Sequence, residues 1–153
     1  GLSYATSARG ACHLRGTFYK AELSGEIPKE QIEGKAMLQI DYEDRAALFD
    51  SLVLCRFFRD FIKWDELHTL IKASTGLSFS KEELTLLANR TTMRTREYNL
   101  REGLGSSEDK LPKTFMDNPN KEGALLRSDE LATMINEYNA IREERYENAK
   151  SNL

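Results

Sequence analysis

Between Gly34 and Phe61 the apolar residues Met37, Ile40, Ala47, Leu48, Leu52, Cys55 and Phe58 recur at three- and four-residue steps. That spacing lays them along one face of an α-helix. No stretch alternates apolar and polar residues convincingly enough to read as a strand, and no segment repeats. The chain is therefore expected to be all-α, an irregular multi-helix arrangement forming a single domain over 1–153. The acidic run Asp41–Asp44 predicts a break between two helices within 34–61. Thr17–Leu23 predicts a short helix, ended by Ser24-Gly25-Glu26-Ile27-Pro28. Another starts at Trp64, carries Leu67, Leu70 and Ile71 on one face, and stops near Gly76. Ser80 with Glu83 three residues on forms a capping box. The helix behind it carries Leu84, Leu87, Ala88, Thr91, Thr95 and Tyr98 on one stripe and ends with Gly103 as its C′ glycine. Ser128 is expected to cap a last helix, buried through Leu131, Met134, Ile135, Tyr138 and Ile141. Gly1–Gly16 reads as an irregular surface loop, and Gly103–Gly123 as a long polar loop that does not pack by itself.

A chain of 153 residues can bury a real core. Its net charge of -3 and scattered basic residues argue against nucleic acid and against a membrane-surface patch. No apolar stretch approaches the ~18 residues of a spanning helix. Two cysteines far apart in sequence are no disulfide framework and suit a reducing cytoplasm. The chain opens on Gly1 with neither an initiator methionine nor a signal peptide, as expected of a segment from within a longer protein.

The chemistry-bearing stretch is Phe49-Asp50-Ser51-Leu52-Val53-Leu54-Cys55, followed by Arg56-Phe57-Phe58. It sets an acid and a cysteine five residues apart in the most apolar part of the chain. A carboxylate buried there needs a charged or hydrogen-bonding partner, because desolvating it unpaired costs several kcal/mol. From residue physics alone, Asp50 is an acid at a helix end, Cys55 a small hydrophobe and His13 an ordinary loop histidine.

Asp50 to Cys55 resembles the pterin-binding motif Asp-x-x-Gly-Leu-Cys of the tungsten-containing aldehyde:ferredoxin oxidoreductases. Ala5-Thr6-Ser7-Ala8-Arg9-Gly10-Ala11-Cys12-His13 is similar to that family's glycine-rich Ala-Thr-Ser-x-Arg-Gly-x-Cys-His stretch. Arg96–Gly103, with Lys110-Leu111-Pro112 after it, and Asn136–Arg142 resemble further family segments, in the same order. The family's chains are several times longer, so the resemblance makes this a carboxy-terminal part of one.

The resemblance implies a role for each matching residue. Asp50 would bind the pterin of a tungsten bis-pterin cofactor, with Leu54 touching the same pterin through its backbone. Cys55 would be the fourth ligand of a [4Fe–4S] cluster, the other three coming from a neighbouring domain. His13 would lie beside the metal as the catalytic histidine, and Arg15 would reach the cofactor's phosphates. The whole enzyme would oxidise an aldehyde to a carboxylic acid and pass electrons to ferredoxin. The partners implied are the amino-terminal and middle domains of the same enzyme, ferredoxin and the aldehyde. A cubane cluster ordinarily takes four thiolates, and this chain has only Cys12 and Cys55. Neither cofactor is therefore expected on the isolated segment, which is expected to be inactive, with the face around Asp50 and Cys55 exposed. Asn99, Arg101 and Glu102 are read as structural, fixing the loop that follows them.

Val53 departs from the motif, which has glycine there. A left-handed backbone would strain valine, whereas a helical one would accommodate it. Two other readings stand beside the oxidoreductase: a degenerate relative that has lost its metal site, and a helical protein-interaction module without metal.

Overall fold

The computed structural model describes residues 1–119 and 126–151. Its helices are α1 (Leu2–Ala5), α2 (Tyr19–Ser24), α3 (Lys35–Ser51), α4 (Trp64–Thr75), α5 (Lys81–Arg101), α6 (Thr114–Asp117) and α7 (Ser128–Ser151). Single 3-10 turns lie at Arg56–Phe58 and Ser106–Glu108. Among the described residues the only β-type pairing is an isolated bridge between Ala8 and Gly10, so the all-α expectation holds. No helix among them is long and apolar enough to cross a membrane.

Helices α3, α5 and α7 pack against one another and form the frame. One core gathers Ala36 and Ile40 of α3 with Leu131, Met134, Ile135 and Tyr138 of α7. A second sits at the far end of α3, where Leu48 and Phe49 meet Leu67 and Ile71 of α4 and Leu84 and Ala88 of α5. Phe18, Ala21 and Ile27 make a third, smaller cluster under α2. Burying each large apolar side chain contributes about 1.5–3 kcal/mol, and these clusters are what hold the three long helices in register.

The acidic run does not break α3, which continues from Lys35 to Ser51. Glu43 and Asp44 are buried because Arg142 of α7 reaches them from almost a hundred residues away. The Arg142 guanidinium donates to Asp44, to Glu43 Oε2 at 2.7 Å and to Asn89 Oδ1 at 2.8 Å. The Tyr138 hydroxyl donates to Glu43 at 2.5 Å, and Arg145 reaches the other oxygen of Asp44 at 3.3 Å. Asn89 returns a bond to the Arg142 carbonyl at 3.2 Å. Every charge in this knot has a partner, without which its burial would cost several kcal/mol. Burial nonetheless outweighs the arginines and pushes the Asp44 carboxyl up to about 6.

The capping box is present: Glu83 N–H donates to Ser80 Oγ at 3.1 Å and Ser80 N–H to Glu83 Oε2 at 2.7 Å. α5 ends with Gly103 at φ +85°, Gly103 N–H on Leu100 O and Leu104 N–H on Asn99 O. This is a Schellman closure with glycine in its left-handed position. Gly25 and Gly76 end α2 and α4 in the same left-handed conformation.

Elsewhere the local reading is corrected. Gly1–Gly16 is no surface loop: Leu2 and Ala5 are buried, and α1 packs on α3 and α7. The Asn99 side chain holds this segment by donating to Ala8 O at 2.6 Å, so that Asn99 secures the amino-terminal stretch as well as the turn after α5 that its carbonyl closes. The segment after Gly103 also packs, with Leu111 in the first core and Asp109 gripped by Arg96 at 2.8 and 2.5 Å. The expectation for 120–123 falls outside the described residues. Ser128 is the first residue of α7 rather than its cap, and Glu130 accepts from Arg127 N–H at 3.3 Å just ahead of it.

Candidate functional site

The carboxyl end of α3 is built like that of α5. Val53 N–H donates to Asp50 O at 3.2 Å and Leu54 N–H to Phe49 O at 2.8 Å, the two bonds of a Schellman closure. The left-handed residue is Val53, at φ +56°. Glycine adopts that conformation freely, whereas an L-residue is penalised there and a branched Cβ makes it an outlier. Of the two sequence alternatives for Val53, the structure takes the strained one. The turn holds because Leu54 folds back onto the second core beside Phe49. The valine side chain itself projects outward, 91% exposed.

This closure sets Asp50 and Cys55 on its two sides. Asp50 is met by two arginines, which makes it far from a lone solvent-facing acid. Arg56 donates Nε to Oδ1 at 3.0 Å and Nη2 to Oδ2 at 2.5 Å, a two-pronged pairing. Arg15 donates Nη1 to the same Oδ2. The remaining arm of Arg56 donates to Leu14 O, tying the end of α3 to the 13–15 loop. Arg56 was not singled out by sequence reading, although its position next to the cysteine and six residues past the acid was the available signal.

Of the residues proposed from sequence, the structure brings Arg15 and Asp50 into direct contact. Cys55 follows one closure later, exposed and with a free thiol, heading the 3-10 turn that carries Arg56. Leu54 is half-buried, with its N–H committed to the closure. His13 is exposed on the adjoining loop, its ring edge-on to Tyr19 at 6.1 Å between centroids, and it does not line the cleft at Asp50. One residue earlier Cys12 is buried, accepting at Sγ from Arg9 Nε at 3.2 Å and Nη2 at 3.0 Å and from Leu14 N–H at 3.4 Å. Burial raises its thiol pKa, but these donors together outweigh it and leave the thiol below its ordinary value.

A cleft of about 190 Å³ opens beside Asp50, between α3, α5 and the 8–15 segment. Glu43, Ala47 and Asp50 form its α3 wall, at steps of four and three residues. Thr91, Thr92 and Thr95 form the α5 wall, and Arg9, Arg15 and Arg56 supply the positive charge. Each threonine hydroxyl donates to the carbonyl four residues back on its own helix, so that wall offers lone pairs rather than protons. Around Cys55 the surface is apolar, with Val53, Phe57 and Phe61 all more than three-quarters exposed.

These residues fit the groups the resemblance implies in different degrees. A carboxylate already engaged by guanidinium N–H pairs is suited to a guanidine-like heterocycle edge. Cys55 can offer one thiolate from its exposed side. No group of three or more His, Cys, Asp or Glu side chains able to hold a metal ion occurs among the described residues. A cluster would thus draw its other ligands from outside this chain.

Comparison with known proteins gives one consistent result. The family model described as aldehyde ferredoxin oxidoreductase, domains 2 and 3, matches residues 1–144. The tungsten-containing aldehyde ferredoxin oxidoreductase of Pyrococcus furiosus is 33% identical over 128 residues, which cover 80% of this chain and 21% of that protein. Its namesake from Thermococcus kodakarensis is 32% identical over the same span and coverage. The chain thus spans about a fifth of the length of the curated relatives it matches.

Proposed function

The chain belongs to the aldehyde ferredoxin oxidoreductase family, and from that premise we propose that it is one helical domain contributing part of a cofactor shell to a larger tungsten enzyme. In this reading the whole protein oxidises an aldehyde to the carboxylic acid, works in the cytoplasm and hands electrons to ferredoxin. The observation that carries the proposal is the end of α3, where one closure presents an arginine-engaged carboxylate on one side and an exposed thiol on the other.

The tungsten bis-pterin group and the [4Fe–4S] cluster supply the redox chemistry when bound. Asp50 would accept N–H donors of the pterin ring edge, each charge-assisted bond contributing about 1.5–3 kcal/mol. The Leu54 N–H is already used, so its backbone contact with the pterin falls to the carbonyl. Cys55 would give one thiolate to the cluster, with only five residues of chain separating it from Asp50. Arg15 binds phosphate oxygens of the cofactor. His13, on the adjoining loop, would donate a hydrogen bond to the substrate carbonyl oxygen or move a proton there. The amino-terminal and middle domains cover the exposed apolar surface around Cys55 and bring the remaining cluster ligands.

The test is anaerobic metal analysis of the full-length protein, wild type beside Cys55→Ser. Tungsten together with about four irons per chain, and loss of iron in the variant, is the expected result. A full-length protein without tungsten or iron under the same conditions would refute the reading and leave a metal-free helical scaffold.

A further inference from the structure

We propose that Arg56 is the positioning residue of His13: it fixes where the imidazole stands relative to the Asp50–Cys55 turn without touching substrate itself. The inference rests on the reading of His13 given above, and it starts from how that loop is held. The main chain is anchored on both flanks of His13. Before it, the Cys12 thiol accepts from Arg9 Nε at 3.2 Å, from Arg9 Nη2 at 3.0 Å and from the Leu14 N–H at 3.4 Å, which closes residues 12 and 14 onto each other. After it, Leu14 O accepts from Arg56 Nη1. The imidazole between these anchors makes no hydrogen bond among the described residues and meets only the edge of Tyr19. His68 is the contrast, because it commits Nδ1 to Phe79 O at 2.5 Å. A histidine kept for structure uses its ring, whereas at His13 the backbone is tied down and both ring nitrogens are left for a ligand.

Arg56 can act as a support because it is itself fixed at both ends. Its Nε and Nη2 fork onto Asp50 at 3.0 and 2.5 Å. Its main-chain oxygen accepts from Arg59 Nη1 at 2.8 Å, and Arg59 O in turn accepts from Arg45 Nη1 at 3.4 Å. Asp50 and Arg45 both stand on α3, so the turn is pinned to that helix through its side chain and through its backbone. A guanidinium is planar and its donors point in fixed directions. Once two of its nitrogens are seated on a carboxylate, the direction of the third is decided, and here it is Leu14 O. A lysine ammonium is a point charge that imposes no such direction. The Arg56 side chain is 22% exposed, so its place is within reach of a small ion from solution when the side chain is removed.

The experiment compares the full-length protein as wild type, Arg56→Lys, Arg56→Ala, His13→Ala and the Arg56→Ala/His13→Ala double variant. Each is read for tungsten and iron content, for acetaldehyde oxidation with a one-electron dye as acceptor, and for amide exchange over residues 11–16 by mass spectrometry. Arg56→Ala and Arg56→Lys should keep their metals and exchange faster over 11–16. Their kcat should fall by about 10- to 100-fold with KM nearly unchanged, the effect of a displaced catalytic group. Millimolar guanidinium chloride should restore part of the kcat of Arg56→Ala and none of that of His13→Ala. The double variant should be no slower than His13→Ala alone, because Arg56 acts only through that residue. Should Arg56→Ala lose its metals, Arg56→Lys and its own double variant with His13→Ala decide in its place. Exchange and kcat at the wild-type level in the Arg56 variants, or a double variant slower than His13→Ala by the full Arg56 factor, overturns the positioning role and leaves the oxidoreductase reading standing. A full-length protein without tungsten, iron or aldehyde oxidation removes both proposals, whatever its exchange.

Discussion

Replacing Val53 with glycine should stabilise this protein, against the usual cost of introducing glycine. The closures after α3 and α5 have the same two hydrogen bonds, but one places valine and the other glycine in the left-handed position. Holding an L-residue there costs about 1–3 kcal/mol. Val53→Gly removes that penalty and loses almost no burial, because the side chain is 91% exposed. It also loosens the unfolded chain, a loss of about 0.4–1 kcal/mol. The net gain is about 1 kcal/mol. For a chain of this size that raises Tm by about 2–4 °C and moves the urea midpoint up by roughly 0.5 M with the slope unchanged. Gly103→Val provides the control: it imposes on α5 the strain removed from α3 and should destabilise by about 1–3 kcal/mol. Equilibrium urea unfolding of the purified chain, wild type and both variants, reads all of these shifts. A Val53→Gly variant no more stable than wild type, beside a Gly103→Val variant that is clearly destabilised, would refute the claim that Val53 stores backbone strain.

Arg142→Ala should be among the most damaging single changes, costing about 3–5 kcal/mol by stranding Glu43 and Asp44 in the interior; a strongly lowered Tm, or loss of the cooperative thermal transition, is the check. Burial holds the Asp44 pKa at about 6, above its ordinary value of 3.8. The folded state thus binds this proton more tightly than the unfolded state does, and the stability it contributes is complete below about pH 4 and lost as pH rises through about 6. Relative to Asp44→Asn, wild type should lose stability over that window, which urea midpoints at stepped pH would show. Ser80→Ala should cost about 1 kcal/mol through loss of the capping bond to Glu83, visible as a lowered Tm.

The features legible in the sequence were those whose causes are local. The Ser80–Glu83 box, the C′ glycine at 103, the short helix before Gly25 and the stop at Gly76 are each decided by a handful of neighbouring residues. The continuity of α3 was not legible, because the residue that satisfies its acidic run is Arg142, on another helix. Asn89 was missed for the same reason: its worth lies in accepting from Arg142. Gly1–Gly16 looked like surface because small residues without a period carry no signal of what covers them. At the candidate site, the acid and the cysteine stood out through their motif, and the valine within it marked a position where the backbone is strained. Arg56 gave no comparable signal, since one arginine among many basic residues becomes informative only when its fork is seen on Asp50.

The buried charge knot at Glu43 and Asp44 has a consequence for where Asp50 points. A helix packed through apolar side chains alone can slip by rotating about its axis at modest cost, because one aliphatic contact replaces another. α3 is denied that freedom, since turning it by one residue would pull two carboxylates off their arginine. Glu43 and Asp50 are seven residues apart, so they share nearly the same azimuth, about 10 Å apart along the axis. The knot therefore acts as a keyway for α3, and the bearing of the carboxylate at its end is set by a guanidinium on α7. A conservative change at Arg142 should accordingly be felt as a misaimed Asp50, even in a protein that still folds.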